Sequence, residues 1–219
     1  MLRLLTFAMM LLSLAAPAGA QSNSVHIDQI GSSNVIDITQ AGSGNRIGSS
    51  VTPSLITGSS NTVTITQTGD TNQLDYAING GTNTATLSYT GNGNTATLTC
   101  GNNTTACNDA AITHTIIGDD NIISTILAGN NISNTLTITG NSNNVSTNQN
   151  GNDKTQNMTL TGDSNTITAT QAGVGTHSLT MAVTGNSNSY DISQAGAVTN
   201  TLVINTQGSN NNITIAQSN

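Results

Sequence analysis

Gln29-Ile30-Gly31-Ser32-Ser33-Asn34-Val35-Ile36-Asp37-Ile38-Thr39-Gln40-Ala41-Gly42 holds one turn, one strand and the start of the next turn. Gln-x-Gly-x-x-Asn is followed by an alternating run whose apolar positions are Ile36 and Ile38, and then Gln-x-Gly returns eleven residues after Gly31. Glycines keep that register through 58, 69, 80, 91, 101, 118, 129, 140, 151, 162, 173, 185, 196 and 208, with small slips and two longer intervals. A short fixed period is the mark of a solenoid or array. Eleven is also the period of a right-handed helical coiled coil. Gly and Asn in every unit would break such helices, whereas alternating Thr, Val and Ile favour strands.

The run Thr62-Val63-Thr64-Ile65-Thr66-Gln67 shows the faces. Successive side chains of a strand point to opposite sides, so Val63, Ile65 and Gln67 share one face and the three threonines the other. Each Gly-x-x-Asn is then a corner, because Gly adopts positive φ freely and Asn tolerates it while bonding its own backbone. A single arm cannot bury its apolar face, but two arms folded back and stacked on further pairs share a narrow core. The expected fold is therefore all-β, a flattened β-solenoid of about nine 22-residue strand-turn-strand coils, ~40 Å long at ~4.8 Å per coil.

Stacking places like residues above one another, so side-chain amides can hydrogen-bond along the axis. The alternate-unit phase predicts a corner column of Gly31, Gly58, Gly80, Gly118, Gly140, Gly162, Gly185 and Gly208. It predicts an Asn ladder through Asn34, Asn61, Asn83, Asn121, Asn143, Asn165, Asn188 and Asn211. A Gln ladder follows through Gln29, Gln40, Gln67, Gln149, Gln171, Gln194 and Gln217, while intervening units carry Ile138, Leu160 or Val183.

Residues 1–20 read as a signal peptide: Arg3, an apolar run from Leu4 to Leu14, and an Ala18-Gly19-Ala20 cleavage site. The run is too short to span a bilayer. The rest, 21–219, reads as one repeat domain with inserts at 46–57 and 101–117, since the register resumes beyond each. Pro53 belongs in a loop leaving the stack, because proline cannot donate to a ladder. Cys100 and Cys107 are the only cysteines, and in an exported chain the simplest reading is a disulfide closing a small loop, with free thiols the alternative.

Composition excludes several functions. After Arg3 the only basic residues are Arg46 and Lys154, against ten Asp and no Glu, which argues against nucleic acid. Beyond residue 20 there is no Phe or Trp, and only Tyr76, Tyr89 and Tyr190 among aromatics, so a conventional globular core is out of reach. Asp70, Asp119, Asp120, Asp153 and Asp163 fall in corners, without the nine-residue Gly-Gly-x-Gly-x-Asp register of calcium solenoids. Asp37, Asp75 and Asp191 should face outward, where charge discourages sideways sheet association. Gly162-Asp163-Ser164-Asn165 superficially matches a lipase nucleophile block, yet is an ordinary corner, and His26, His114 and His177 lie in separate units. No enzyme, cofactor, metal or small-molecule substrate is expected. Paired threonines such as Thr166 and Thr168 suggest an ice-binding face, but the equivalent positions are Asn144 and Ser146 before, and Ser189 and Asp191 after.

Gln-x-Gly-x-x-Asn-x-φ-x-φ-x-Gln, where φ is apolar, resembles the curlin repeat of bacterial curli amyloid subunits. The resemblance covers nearly all of 21–219 and is strongest in 29–45, 58–72 and 140–217. Tight tandems such as Gln29 to Gly42 are nearer the minor, nucleating curlin. The resemblance implies export through outer-membrane machinery and extracellular or cell-surface fibres serving adhesion and biofilm matrix. Partners would be further copies of the chain or other curlin subunits. An ice-binding solenoid and a monomeric surface adhesin are the alternatives.

Overall fold

A computed structural model describes residues 22–101 and 104–218. The segment read as a signal peptide lies outside the described residues. In chain order the strands are β1 (Ser24–Val25), β2 (Ile27–Ile30), β3 (Val35–Ala41), β4 (Arg46–Ile47), β5 (Ser54–Thr57), β6 (Thr62–Thr68), β7 (Gln73–Asn79), β8 (Thr84–Thr90), β9 (Thr95–Cys100) and β10 (Cys107–Asn108). They continue as β11 (Ala111–Ile117), β12 (Ile122–Asn130), β13 (Ile132–Thr139), β14 (Asn144–Asn150), β15 (Lys154–Thr161), β16 (Thr166–Ala172), β17 (His177–Thr184), β18 (Ser189–Ala195), β19 (Asn200–Gln207) and β20 (Asn212–Ser218).

The chain alternates between two parallel sheets, and no helix occurs among the described residues. The smaller sheet runs β3-β6-β8-β11-β13-β15-β17-β19, eight layers deep. In the larger one β1 with β2, β4 with β5, and β9 with β10 each fill a single layer, followed or separated by β7, β12, β14, β16, β18 and β20. Nine layers face eight. The solenoid is therefore eight full turns plus one further strand, close to the nine coils expected.

The core is the narrow space between the sheets. Val63, Ile65 and Gln67 are buried while Thr62, Thr64 and Thr66 face out. With so few large residues available, Tyr89 and Tyr190 are the bulkiest fully buried side chains.

Corner geometry comes from close backbone approach. Gly58 has φ +138°, and a Cβ there would lie 1.9 Å from the carbonyl oxygen of Gly80 in the next turn. The second left-handed residue of this corner is Ser60 at φ 62°, not Asn61. Asn61 instead sends its side chain to neighbouring turns, donating to the carbonyl of Gly80 at 2.9 Å. The sequence expectation that Asn bonds its own backbone in the corner is corrected accordingly.

Much of 46–57 and 101–117 pairs within the sheets as β4, β5, β10 and β11, and the interruption in each falls on the larger sheet. Ile47 pairs with Leu74 and Leu55 with Ala77, so Ser49–Pro53 lie outside the ladder. Ser49 and Thr52 close that loop through their hydroxyls at 2.8 Å. In the second case Cys100 pairs with Leu127 and Cys107 with Gly129, so Ala128 is the one β12 residue between those two pairings. Cys100 and Cys107 are joined by a disulfide across that gap, with Cα atoms 5.3 Å apart.

Candidate functional site

Asparagine forms two columns, not one. At the corners leading into the larger sheet, Asn23, Asn45, Asn72, Asn94, Asn121, Asn143, Asn165, Asn188 and Asn211 lie above one another. From Asn72 onward each Nδ2 donates to the Oδ1 of the preceding member at 2.9–3.0 Å. The same Oδ1 also accepts the next backbone N–H, as when Asn143 serves Asn165 at 3.0 Å. Asn34, Asn61 and Asn83 belong to the opposite corner. Their column ends at Ala110, whose N–H donates to Asn83 Oδ1 at 2.9 Å. Lys154, His177 and Asn200 occupy its later places. The single ladder expected from sequence thus joined residues from two corners, and omitted Asn23, Asn45, Asn72 and Asn94.

The glycine columns divide the same way. Gly31, Gly58 and Gly80 stack toward Cys107, whereas Gly118, Gly140, Gly162, Gly185 and Gly208 continue a column from Gly42, Gly69 and Gly91. Cysteine at a corner-glycine place hid this phase. The numerical signal was present nonetheless, for 31 to 58, 42 to 69, 80 to 107 and 91 to 118 are all the same interval of 27.

Glutamine forms two ladders as well. Gln40 donates to Gln67 at 2.7 Å in the smaller sheet, where Tyr89 ends the run. Gln149, Gln171, Gln194 and Gln217 form a chain at 2.9–3.0 Å in the larger sheet. Gln29 shares that face but stacks on Ile56, outside either ladder. The internal glutamines also cross the core: Gln171 Nε2 donates to the carbonyl of Thr155 at 2.9 Å, and Gln149 and Gln194 do likewise to Ser133 and Ser178. Asn134 lies opposite Gln149 and donates to its Oε1 at 3.0 Å, while Ile138, Leu160 and Val183 stack near the other end of the smaller sheet's strands. Each amide bond nets only ~1 kcal/mol, but a buried amide without partners costs more, so a ladder tolerates no register slip.

Sequence reasoning missed a buried polar cluster around His114. Its Nε2 lies 3.1 Å from Thr125 Oγ1 and its Nδ1 3.5 Å from the Tyr89 hydroxyl. Burial pushes its pKa down to about 4, with the Asn134 side chain opposing the shift. Lys154, equally concealed, donates its ammonium to the carbonyls of Asn152 and Gly175. Desolvation lowers its pKa and the Asp153 carboxylate opposes that. Period-2 reading marks such residues only as inward-pointing. His26, His114 and His177 sit in turns one, four and seven, and no three His, Cys, Asp or Glu side chains converge among the described residues.

The two outward faces differ. The smaller sheet stacks Thr64 on Thr86, Thr113 and Thr135, and Thr66 on Ser88, Thr115, Thr137 and Thr159. Asp37 is the one charged residue on its outward face among those described, Lys154 of β15 being buried on the inner side. The larger sheet carries Asp75, Asp191 and both inserts. Arg46 meets Asp75 there through two contacts of 3.2 and 3.1 Å. At the corner beside it, Asp70, Asn92, Asp119, Asn141, Asp163 and Asn186 alternate acid and amide, each of the first five donating its backbone N–H to the next side-chain oxygen at 2.7–2.8 Å. Hydrogen bonds from the Ser43 hydroxyl and N–H lower the pKa of Asp70.

Neither end of the described stack is covered by another described element. β3 pairs only with β6, and β1 and β2 only with β4 and β5. At the other end β19 pairs only with β17 and β20 only with β18. Val25, Ile27, Ile36, Leu202, Ile213 and Ile215 consequently remain partly exposed against the core. The chain matches no known protein family, no curated protein and no solved structure.

Proposed function

We propose that this chain is a structural subunit or nucleator of an extracellular, curli-like amyloid fibre, and that self-association is its function. The observation that carries the reading is the pair of open ends. Among the described residues each end presents an unpaired parallel strand edge, half-buried aliphatics and an amide column in the same register as the interior. Soluble solenoids close such ends with polar caps, and an open edge recruits another chain. Export with cleavage after Ala20, passage through outer-membrane machinery, and a role in adhesion and biofilm matrix accompany this reading by resemblance to curlin repeats. Partners are further copies or other curlin subunits.

Purified protein at micromolar concentration is expected to form dye-binding filaments with a fibre-diffraction reflection near ~4.8 Å. Protein that stays monomeric through prolonged incubation would overturn the reading. Seeding of a second curlin separates nucleator from bulk subunit.

The threonine face of the smaller sheet favours a second reading, an ice-binding solenoid. The break at Asn144 and Ser146 lies on the larger sheet, whereas Thr64, Thr86, Thr113 and Thr135 occupy four consecutive layers of the other, between Asp37 and Asn157. Thermal hysteresis in a freezing-point assay, abolished by Thr113→Tyr, would support it; its absence from folded monomer would exclude it.

A further inference from the structure

The two sheets are unequal, with nine layers against eight, and this fixes how one molecule can follow another. We infer that successive molecules in the fibre are rotated by about half a turn about its axis, so that the larger sheet of one continues as the smaller sheet of the next. The inference rests on the fibre reading above and specifies its interface. Without rotation β20 would meet β1 and β2 of the next copy, while β19 and β3 would face each other across a missing strand, leaving a void of ~4.8 Å. With a half-turn, β1 and β2 settle on β19 and β3 settles on β20. No layer is skipped.

The side chains at the two ends match in that arrangement. Asn211 lies at the end of the long Asn column, and its Oδ1 accepts no hydrogen bond from a described residue. Asn34, which opens the short column, is the residue a half-turn places upon it. Gln217 accepts from Gln194 and leaves its Nε2 without an acceptor among the described residues. Gln40 donates to Gln67 and keeps its Oε1 available. The half-turn joins that donor to that acceptor, so the ladder of four continues into the ladder of two. Ile213 meets Ile36 and Leu202 meets Val25, covering side chains that the single molecule leaves partly exposed. Unrotated stacking would also align Gln217 with Gln29, but only beside the empty layer.

Two double variants decide the geometry. Thr214 and Asp37 face outward at opposite ends of the molecule and become neighbours on adjacent strands only in the rotated stack. Thr214 and His26 become neighbours only in the unrotated one. Adjacent strands lie within the Cα range that a disulfide spans. Thr214→Cys with Asp37→Cys is expected to give disulfide-linked oligomers on mild oxidation of assembled fibres, and Thr214→Cys with His26→Cys to give none. Linking of the second variant alone would overturn the rotation while leaving the fibre intact. Wild-type fibres provide a readout that needs no variant: electron microscopy should give a rise of ~41 Å per molecule with a rotation near half a turn. A rotation near zero refutes the inference, and failure of the wild type to assemble refutes the fibre reading beneath it.

Discussion

Asn143 shows what one residue contributes to the stack. It is buried, donates to Asn121 Oδ1 at 3.0 Å and to the Gly162 carbonyl at 2.9 Å, and accepts from Asn165. Asn143→Ala strips partners from three neighbours at once. It should cost on the order of 3 kcal/mol in urea unfolding, whereas Asn212→Ala on the exposed strand face should cost under ~0.5 kcal/mol. His114 supplies a pH dependence. Its imidazole binds a proton near 6.5 when unfolded and near 4 when folded among Tyr89, Thr125 and Asn134. Between those values the unfolded chain holds more protons. The contribution is complete above about pH 6.5 and falls away by roughly 3 kcal/mol on acidification to about pH 4. Unfolding midpoints measured across that window should slope for the wild type and flatten for His114→Gln.

At the scale of strand and corner, neighbouring layers decide which residues are compatible. The alternation of acid and amide along Asp70, Asn92, Asp119, Asn141, Asp163 and Asn186 keeps carboxylates two layers apart, ~9.6 Å, near the screening length of ordinary buffers. Asn141→Asp would set three carboxylates in successive layers. It should destabilise by about 1–2 kcal/mol at low salt, and most of that should return at ~1 M salt, where screening reaches ~3 Å. The Cys100–Cys107 disulfide closes a small loop outside the ladder. Reduction is expected to cost about 2 kcal/mol and to leave the far-ultraviolet circular dichroism of the sheets unchanged, because β9 and β10 still pair with β12 on either side. Loss of the whole β signal on reduction would contradict this. None of the layer-to-layer compatibility is visible in a single arm, since the partner lies 22 to 27 residues away.

At the scale of the whole molecule, stability and assembly draw on the same surface. Interior turns are bounded on both sides, while the terminal layers leave Ile36 and Ile213 partly exposed. Ile213→Lys puts a charge on the core side of the last strand. It should block filament growth at one end while leaving the folded solenoid intact by circular dichroism, and unchanged growth would argue that elongation does not use this edge. The arms, their inward and outward faces and the positive-φ corners follow from local chemistry: β-branched alternation favours strands, and Gly beside small polar residues favours the turn. The sequence therefore determined an all-β flattened solenoid and the approximate number of turns. Tertiary stacking decided which arm lies above which, a phase the sequence carries only as the repeated interval of 27. The inserts lengthen the second and fourth turns to 27 residues and Cys107 takes a glycine's place, so Asn83 leads to Ala110 while Asn94 leads to Asn121. Stacking is a contact between residues a full turn apart, and its phase depends on the length of everything between them.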